Sequence, residues 1–317
     1  MRGYVATTDF SWFNFLRERQ PLDEVNFWQP SAHGFNLPAG TPFFFKLKKP
    51  HYAIGGFGIF ARYAEATPRL AWEAFGEKNG AATFEEMNTR VTSYAAAPGT
   101  SGHRVGCIMV AQPVFFRDED WIEQPSDWKK NVVSGAGYDL SKGEGLRIWE
   151  ACLARAGGVL RSELVATDGP GVVLAPSSAD RPRFGAPQLV RPRLGQGTFR
   201  VAVTAAYGGA CAVSGEHSLP VLEAAHIRPY TQEGSHEVSN GLLLRADIHR
   251  LFDLGYVTVT PELRFVVSPR LKKEFQNGRA YYKRDGQVVT LPANRFDRPD
   301  LDVLRWHNEN VYEKNAA

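Results

Sequence analysis

Apolar positions in the first half of the chain fall in short runs punctuated by Gly and Pro. GYVATT and PFFFKLKKP read as strands, the second an apolar run bounded by prolines. HYAIGGFGIFARYAEA predicts another strand, in which Gly55, Gly56 and Gly58 mark a bulge or the close approach of another backbone. PRLAWEAFGEKNG predicts a short helix with Gly76 near its end, and TFEEMNTRVTSYA a second helix with Thr83 as its N-cap. VGCIMVAQPVFF is a strongly apolar strand. SKGEGLRIWEACLARAG predicts an amphipathic helix that ends at Gly157.

From Ala166 to about Arg193 the pattern lapses into Pro, Gly, Ser and Arg, with little that can build a core, so residues 166–193 read as a linker. Beyond it, GTFRVAVTAAYGG places Phe199, Val203 and Tyr207 four residues apart, a helical repeat. CAVSG predicts a short strand and turn, LEAAHI a strand, TQEGSHEVS a polar loop and RADIHRLFDLG a helix ended by Gly255. YVTVTPELRFVV predicts a hairpin turning at Pro261-Glu262. In the last helix, LDVLRWHNENVYEKN, Leu304 and Trp306 are expected to pack back, with His307 structural. The expectation is an α+β protein of two domains, residues 1–165 and 194–317.

Composition changes this picture little: 43% apolar and 22% charged residues suit two ordinary cores. Cys107, Cys152 and Cys211 form no C-x-x-C pair, which argues against a disulfide framework or a four-cysteine zinc site and fits a reducing cytoplasm. Cys211 reads as a buried apolar residue. No run of eighteen apolar residues and no secretory leader pattern is present, so neither a membrane span nor export is expected. The net charge of +3 is uneven: residues 1–180 carry 18 Lys+Arg against 20 Asp+Glu, and residues 181–317 carry 19 against 14. The cationic half suits a polyanion.

The chemistry is concentrated there. Ile248, Leu251 and Phe252 form the apolar stripe of one predicted helix, whereas His249 and Asp253 lie at i, i+4 on a different face. Thirteen residues lie between His226, near the end of the LEAAHI strand, and Asn240, and eight between Asn240 and His249. A lone histidine on an apolar strand is more often core than chemistry; the two later residues reverse that weighting. This order of strand histidine, loop asparagine and helix histidine resembles the HNH endonucleases of the ββα-metal fold. YGGACAVSG, LEAAHIRPY and NGLLLRADIHRLFDLG resemble the branch of that family found in bacterial restriction endonucleases, over about residues 194–270.

The resemblance implies roles. His226 would be the general base, since imidazole titrates near neutrality. His249 would present a ring nitrogen to a divalent cation, Mg2+ first, with Mn2+ or another transition metal as the alternative. Asn240 either joins the metal shell or hydrogen-bonds the loop that aims His226. Many HNH enzymes carry Asp or His just before the base histidine, whereas this chain has Ala225 there. Glu223, on the same side of an extended strand, is the candidate ligand in its place, against a plain surface carboxylate. Arg228, Arg245 and Arg250 flank the site as candidate phosphate contacts. His217 and His236 fall in polar loops and read as solvated, His236 being a minor candidate for DNA or metal.

The stretch DEVNFWQPSAHGFNLPAGTPFFFKLKKPHYAIGGFGIF resembles the PUA-like domains, and more weakly their EVE branch, small curved β-barrels that read modified bases and occur fused to HNH modules. A flipped base needs an aromatic cage, and Phe27, Trp28, Ser31 and Phe35 are the candidate pocket, with His33 and Asn36 as polar partners. Phe43, Phe44 and Phe45 read as barrel wall, and Lys46, Lys48, Lys49 and His51 as a local basic face. Together these resemblances imply a cytoplasmic, modification-dependent restriction endonuclease acting on double-stranded DNA that carries 5-methyl- or 5-hydroxymethylcytosine. Two active sites for two strands suggest a homodimer. The alternatives are a DNase toxin or nicking enzyme with a regulatory first half, and an inactive DNA-binding or sensing protein.

Overall fold

The computed structural model describes residues 1–30, 32, 34–93, 104–129, 131–163, 195–229 and 234–312, with side chains described only as far as Ala156 in the helix that ends at 163. The linker expected at 166–193, together with Ser31 and His33 of the expected base pocket, lies outside the described residues. In chain order the elements are β1 (Arg2–Thr8), α1 (Phe10–Arg17), β2 (Glu24–Gln29), β3 (Pro42–Leu47), β4 (Ala53–Ala66), α2 (Pro68–Phe75), α3 (Phe84–Ser93), β5 (Val105–Phe115), β6 (Ile122–Glu123), β7 (Gly135–Asp139) and α4 (Gly143–Glu163). They continue with α5 (Gln196–Ala206), β8 (Leu222–His226), β9 (Gly241–Arg245), α6 (Ala246–Asp253), β10 (Val257–Val259), β11 (Phe265–Val267), α7 (Pro269–Phe275), α8 (Arg279–Tyr282) and α9 (Leu301–Asn310). The fold is α+β. Two compact units emerge: Met1–Val25, Leu37–Ala61 and Val110–Pro192 form one, and Asn26–Asn36, Arg62–Met109 and Arg193–Ala317 the other.

The largest sheet has the strand order β2-β5-β4-β3-β1-β7, with β6 paired to β4. β1 runs parallel to β3, whereas β3–β4 and β1–β7 are antiparallel. Helices cover both faces. Trp12 and Phe13 of α1 meet Phe45 and Phe115, whose rings stack 5.2 Å apart. Trp149 of α4 meets Phe44 and Phe57 edge-on. A strand with both faces covered loses its in/out alternation, which is why every residue of PFFFKL is buried. Gly56 answers to close approach: a Cβ there would lie 2.2 Å from the Val114 carbonyl oxygen.

Three expectations need correction here. Lys46 is not part of a basic face; it is 4% exposed, its ammonium 4.9 Å from the Trp128 ring centroid, and burial lowers its pKa. His51 likewise packs on Phe10 and Trp121, leaving Lys48 and Lys49 exposed. The helix from Gly143 passes Gly157 and runs to Glu163, because an interior glycine costs only about 1 kcal/mol and does not by itself end a helix.

In the second unit, α2 begins on the Thr67 hydroxyl, and Thr83 accepts from the Glu86 amide as a cap should. CAVSG forms no strand: it is a turn closed by the Gly215 amide on the Cys211 carbonyl, with Gly215 at φ +69°. The expected hairpin is β10–β11, Val257 opposite Val267. One core holds Phe199, Val203, Leu222, Ala225, Leu242, Leu244, Ile248, Phe252 and Leu304 together. On α9 it is Leu304 and His307 that pack inward, three residues apart, while Trp306 stays half-buried. Positions two apart on a helix point away from each other, so Leu304 and Trp306 cannot share a face. Among the described residues no helix is long and apolar enough to cross a membrane.

Candidate active site

β8 and β9 pair antiparallel with His226 opposite Gly241, and α6 follows β9 without a loop. Ile248 and Phe252 of α6 enter the core, which turns His249 and Asp253 out toward β8. His226, Ile227, Pro229, His249, Asp253, His307 and Val311 line one cleft of about 340 Å³. The two histidines that define the motif therefore open on the same space.

Both nitrogens of His249 face carboxylates. Nδ1 lies 2.6 Å from Glu223 Oε2, and Nε2 lies 3.5 Å from Asp253 Oδ2. Ala225 is fully buried. Glu223 sits two residue pairs further from the His226 end of the strand, and its side chain reaches the helix histidine instead. Partial burial raises the Asp253 pKa and Glu223 adds to this, while the neighbouring His249 and Arg250 oppose it.

His226 sits in a different setting. Its ring stacks on Phe199 at 3.8 Å and 9°, and its Nε2 lies 2.9 Å from Nδ1 of His236. Burial first, then the neighbouring His236 and His249, lowers its pKa to about 4, so the ring is neutral around pH 7. Gly241 makes the stacking possible, since a Cβ there would come within 2.6 Å of Val203 and 2.9 Å of Phe199.

Asn240 is 3% exposed and its carboxamide is fully engaged with backbone. Oδ1 accepts from the Arg228 amide at 2.9 Å, while Nδ2 donates to the Arg228 carbonyl at 2.9 Å and the Ser235 carbonyl at 2.7 Å. The Asn240 carbonyl accepts from the Ile227 amide, the residue after His226, at 2.9 Å. His236, expected to be solvated, is thus held beside the strand histidine by the residue before it.

The arginines diverge. Arg228 lies over the Trp306 ring at 5.1 Å. Arg245 is turned onto Asp247 by two bonds of 2.6 and 2.7 Å, whereas Arg250 is exposed beside Asp253. Of the expected base pocket, Trp28 donates its indole N–H to the Asn79 carbonyl at 3.0 Å, Phe35 lies 6.3 Å from the Tyr63 ring, and Phe27 is half-buried. Sequence reasoning assigned no role to Asp253, although its i, i+4 spacing from His249 was the signal. It also missed Phe199 and the wall residue His307, which the motif does not contain.

A family model described as HNH endonuclease matches residues 211–260. No curated protein matches the chain. Among solved structures, a variant of the ASCH protein from Zymomonas mobilis is similar at 11% identity, covering 47% of this chain and 96% of that one with a TM-score of 0.33. The unmodified ASCH protein of Zymomonas mobilis gives 13% identity, 46% and 94% coverage and a TM-score of 0.29. A modification-dependent restriction endonuclease, TagI, is similar at 16% identity over 99% of this chain and 84% of its own, with a TM-score of 0.27.

Proposed function

With residues 211–260 an HNH endonuclease domain, and the chain accordingly a DNA endonuclease, we propose that His226 is the base and that His249 with Asp253 holds the divalent cation. The observation that carries this is the single cleft onto which all three residues open. Hydrolysis needs a group that takes a proton from water and a positive charge at the phosphate. His226 is neutral at pH 7 and its plane is fixed by Phe199.

Among the described residues no group of three or more His, Cys, Asp or Glu side chains closes a metal site. One imidazole and one carboxylate still fit a cation such as Mg2+, which binds through one or two carboxylates and keeps several waters. Glu223, on the Nδ1 side of the ring, locks the tautomer and orientation of His249, as second carboxylates commonly do. When bound, the cation would neutralise phosphate charge and stabilise the leaving oxygen. Asn240 serves the loop rather than the metal, and Arg228 and Arg250 are the arginines placed to meet phosphates.

We further propose that residues 1–165 read a modified cytosine by base flipping, that residues 166–193 tether this reader to the nuclease, and that two copies cut the two strands. The pattern DEVNFWQPSAHGFNLPAGTPFFF supports the reader assignment, with Phe27, Trp28, Ser31 and Phe35 as its pocket. The test is cleavage of plasmids carrying cytosine, 5-methylcytosine or 5-hydroxymethylcytosine, with Mg2+ or Mn2+, using His226→Ala as control. Cutting confined to modified plasmid and abolished in His226→Ala is expected. Equal cutting of unmodified DNA overturns the reader, and no cutting with any divalent metal overturns the base and cation assignment.

A further inference from the structure

A neutral imidazole has one N–H and one lone pair, so a histidine can act as a base only through the nitrogen its surroundings leave bare. In His226 that choice is made by a second histidine. Nε2 is committed to Nδ1 of His236 at 2.9 Å. Among the described residues nothing hydrogen-bonds Nδ1 of His226, and the ring lines the cleft. The 2.9 Å contact contains one proton, which belongs to one ring or the other. If His236 donated it, the lone pair of His226 would be used up in that bond and Nδ1 would carry hydrogen, leaving no basic site toward the cleft.

We propose that His236 is a positioning residue: it accepts the Nε2–H of His226 and so fixes the tautomer whose bare Nδ1 takes the proton from water. The inference rests on His226 being the base. In the step, an O–H bond of water breaks and its proton goes to Nδ1 of His226. The hydroxide oxygen forms a bond to phosphorus while the bond from phosphorus to the leaving oxygen breaks, and a proton from solvent completes the alcohol. As Nδ1 gains its proton, the Nε2–H···Nδ1 bond to His236 becomes charge-assisted and strengthens, a gain realised only as the base becomes charged.

The rest of the fold supports the pair. Phe199 stacks on His226 and also stands 5.9 Å from His236, which restricts rotation of the base. Asn240 holds the Ser235 carbonyl at 2.7 Å, immediately before His236, and its own carbonyl holds the amide immediately after His226. One buried residue, through its side-chain carboxamide and its backbone carbonyl, thus sets both ends of the contact.

The test uses the full chain with 15N-labelled histidine. Nitrogen–carbon-bound proton correlations report the His226 tautomer, and single-turnover cleavage reports rate and DNA affinity separately. Nε2–H on His226 is expected in the wild type. His236→Phe should scramble that tautomer and slow the single-turnover rate on the order of 10- to 100-fold with DNA affinity kept, within the roughly 100- to 10,000-fold a positioned base supplies. His236→Asn, which restores an acceptor oxygen, should recover much of both. Nδ1–H on His226 in the wild type overturns the proposal, as does a slow His236→Phe enzyme with an unchanged tautomer and no rescue by Asn. Undiminished cleavage by His226→Ala would instead remove the base reading on which it rests.

Discussion

Replacing Asn240 by alanine separates two roles that the HNH motif leaves open. Three hydrogen bonds of 2.7 to 2.9 Å are lost from a side chain that is 3% exposed. At about 0.5 to 1.5 kcal/mol each, with the Arg228 and Ser235 backbone groups near enough to the surface to recruit water, the cost should be about 2 to 4 kcal/mol. Asn240→Asp keeps the acceptor for the Arg228 amide but faces two carbonyl oxygens with a carboxylate, so it should cost a similar amount. Urea unfolding at constant m reports the loss, and exchange of the Arg228 amide proton should quicken about 30-fold at the low end of that range. Cleavage should fall with the loosened contact between His226 and His236, whereas Mn2+ affinity by calorimetry should move less than about threefold. A stability change below about 0.5 kcal/mol together with a tenfold loss of Mn2+ affinity would refute the clamp and put Asn240 in the metal shell.

Glu223→Gln removes the charged partner of His249 Nδ1 at a half-exposed position, so stability should change by less than about 0.5 kcal/mol while metal affinity falls about 10- to 100-fold in calorimetric titration. His307 is 2% exposed and burial lowers its pKa to about 4, from 6.5 when unfolded. Its contribution is therefore complete above pH 6.5 and is lost as pH falls toward 4, on the order of 3 kcal/mol, with His226 tending the same way. The pH dependence of urea unfolding should flatten in His307→Gln, and an unchanged slope would contradict this. Gly241→Ala, with its Cβ 2.6 Å from Val203 and 2.9 Å from Phe199, should cost about 1 to 3 kcal/mol and slow cleavage by displacing Phe199 from His226. A fully active, equally stable variant would show that the stacking is dispensable.

The parts of this site that were legible in the sequence are those fixed by local periodicity and spacing. The stripe of Ile248 and Phe252 set the face of α6, and His249 and Asp253 had to point elsewhere. The extended pattern placed Glu223 on the side of Ala225, and it does reach toward α6, although to the histidine rather than into the place of the missing ligand. What could not be read were contacts made across the fold. Phe199 precedes His226 by 27 residues, and its helical repeat says only that it is buried, not what lies on its ring. His236 sits in a polar loop whose composition suggests solvent, and its position depends on backbone bonds from Asn240 that composition does not encode. PFFFKL failed in the opposite direction: a lysine in an apolar run was read as surface because the helices on both faces of the sheet were not foreseeable.

The stacking of His226 on Phe199 has a practical consequence for anyone who would transplant this nuclease. The recognisable stretch, residues 211–260, contains His226, Asn240 and His249, and by motif alone it is the piece to excise. A graft cut at those borders would leave behind the Phe199 ring under His226 and, with α9, the His307 side chain that meets the Phe252 carbonyl and lines the cleft. The portable unit is more than twice as long, from Gln196 of α5 to Val311 just past α9. A chimera built to those limits should cut, whereas one built to the motif should bind poorly ordered metal and leave DNA intact.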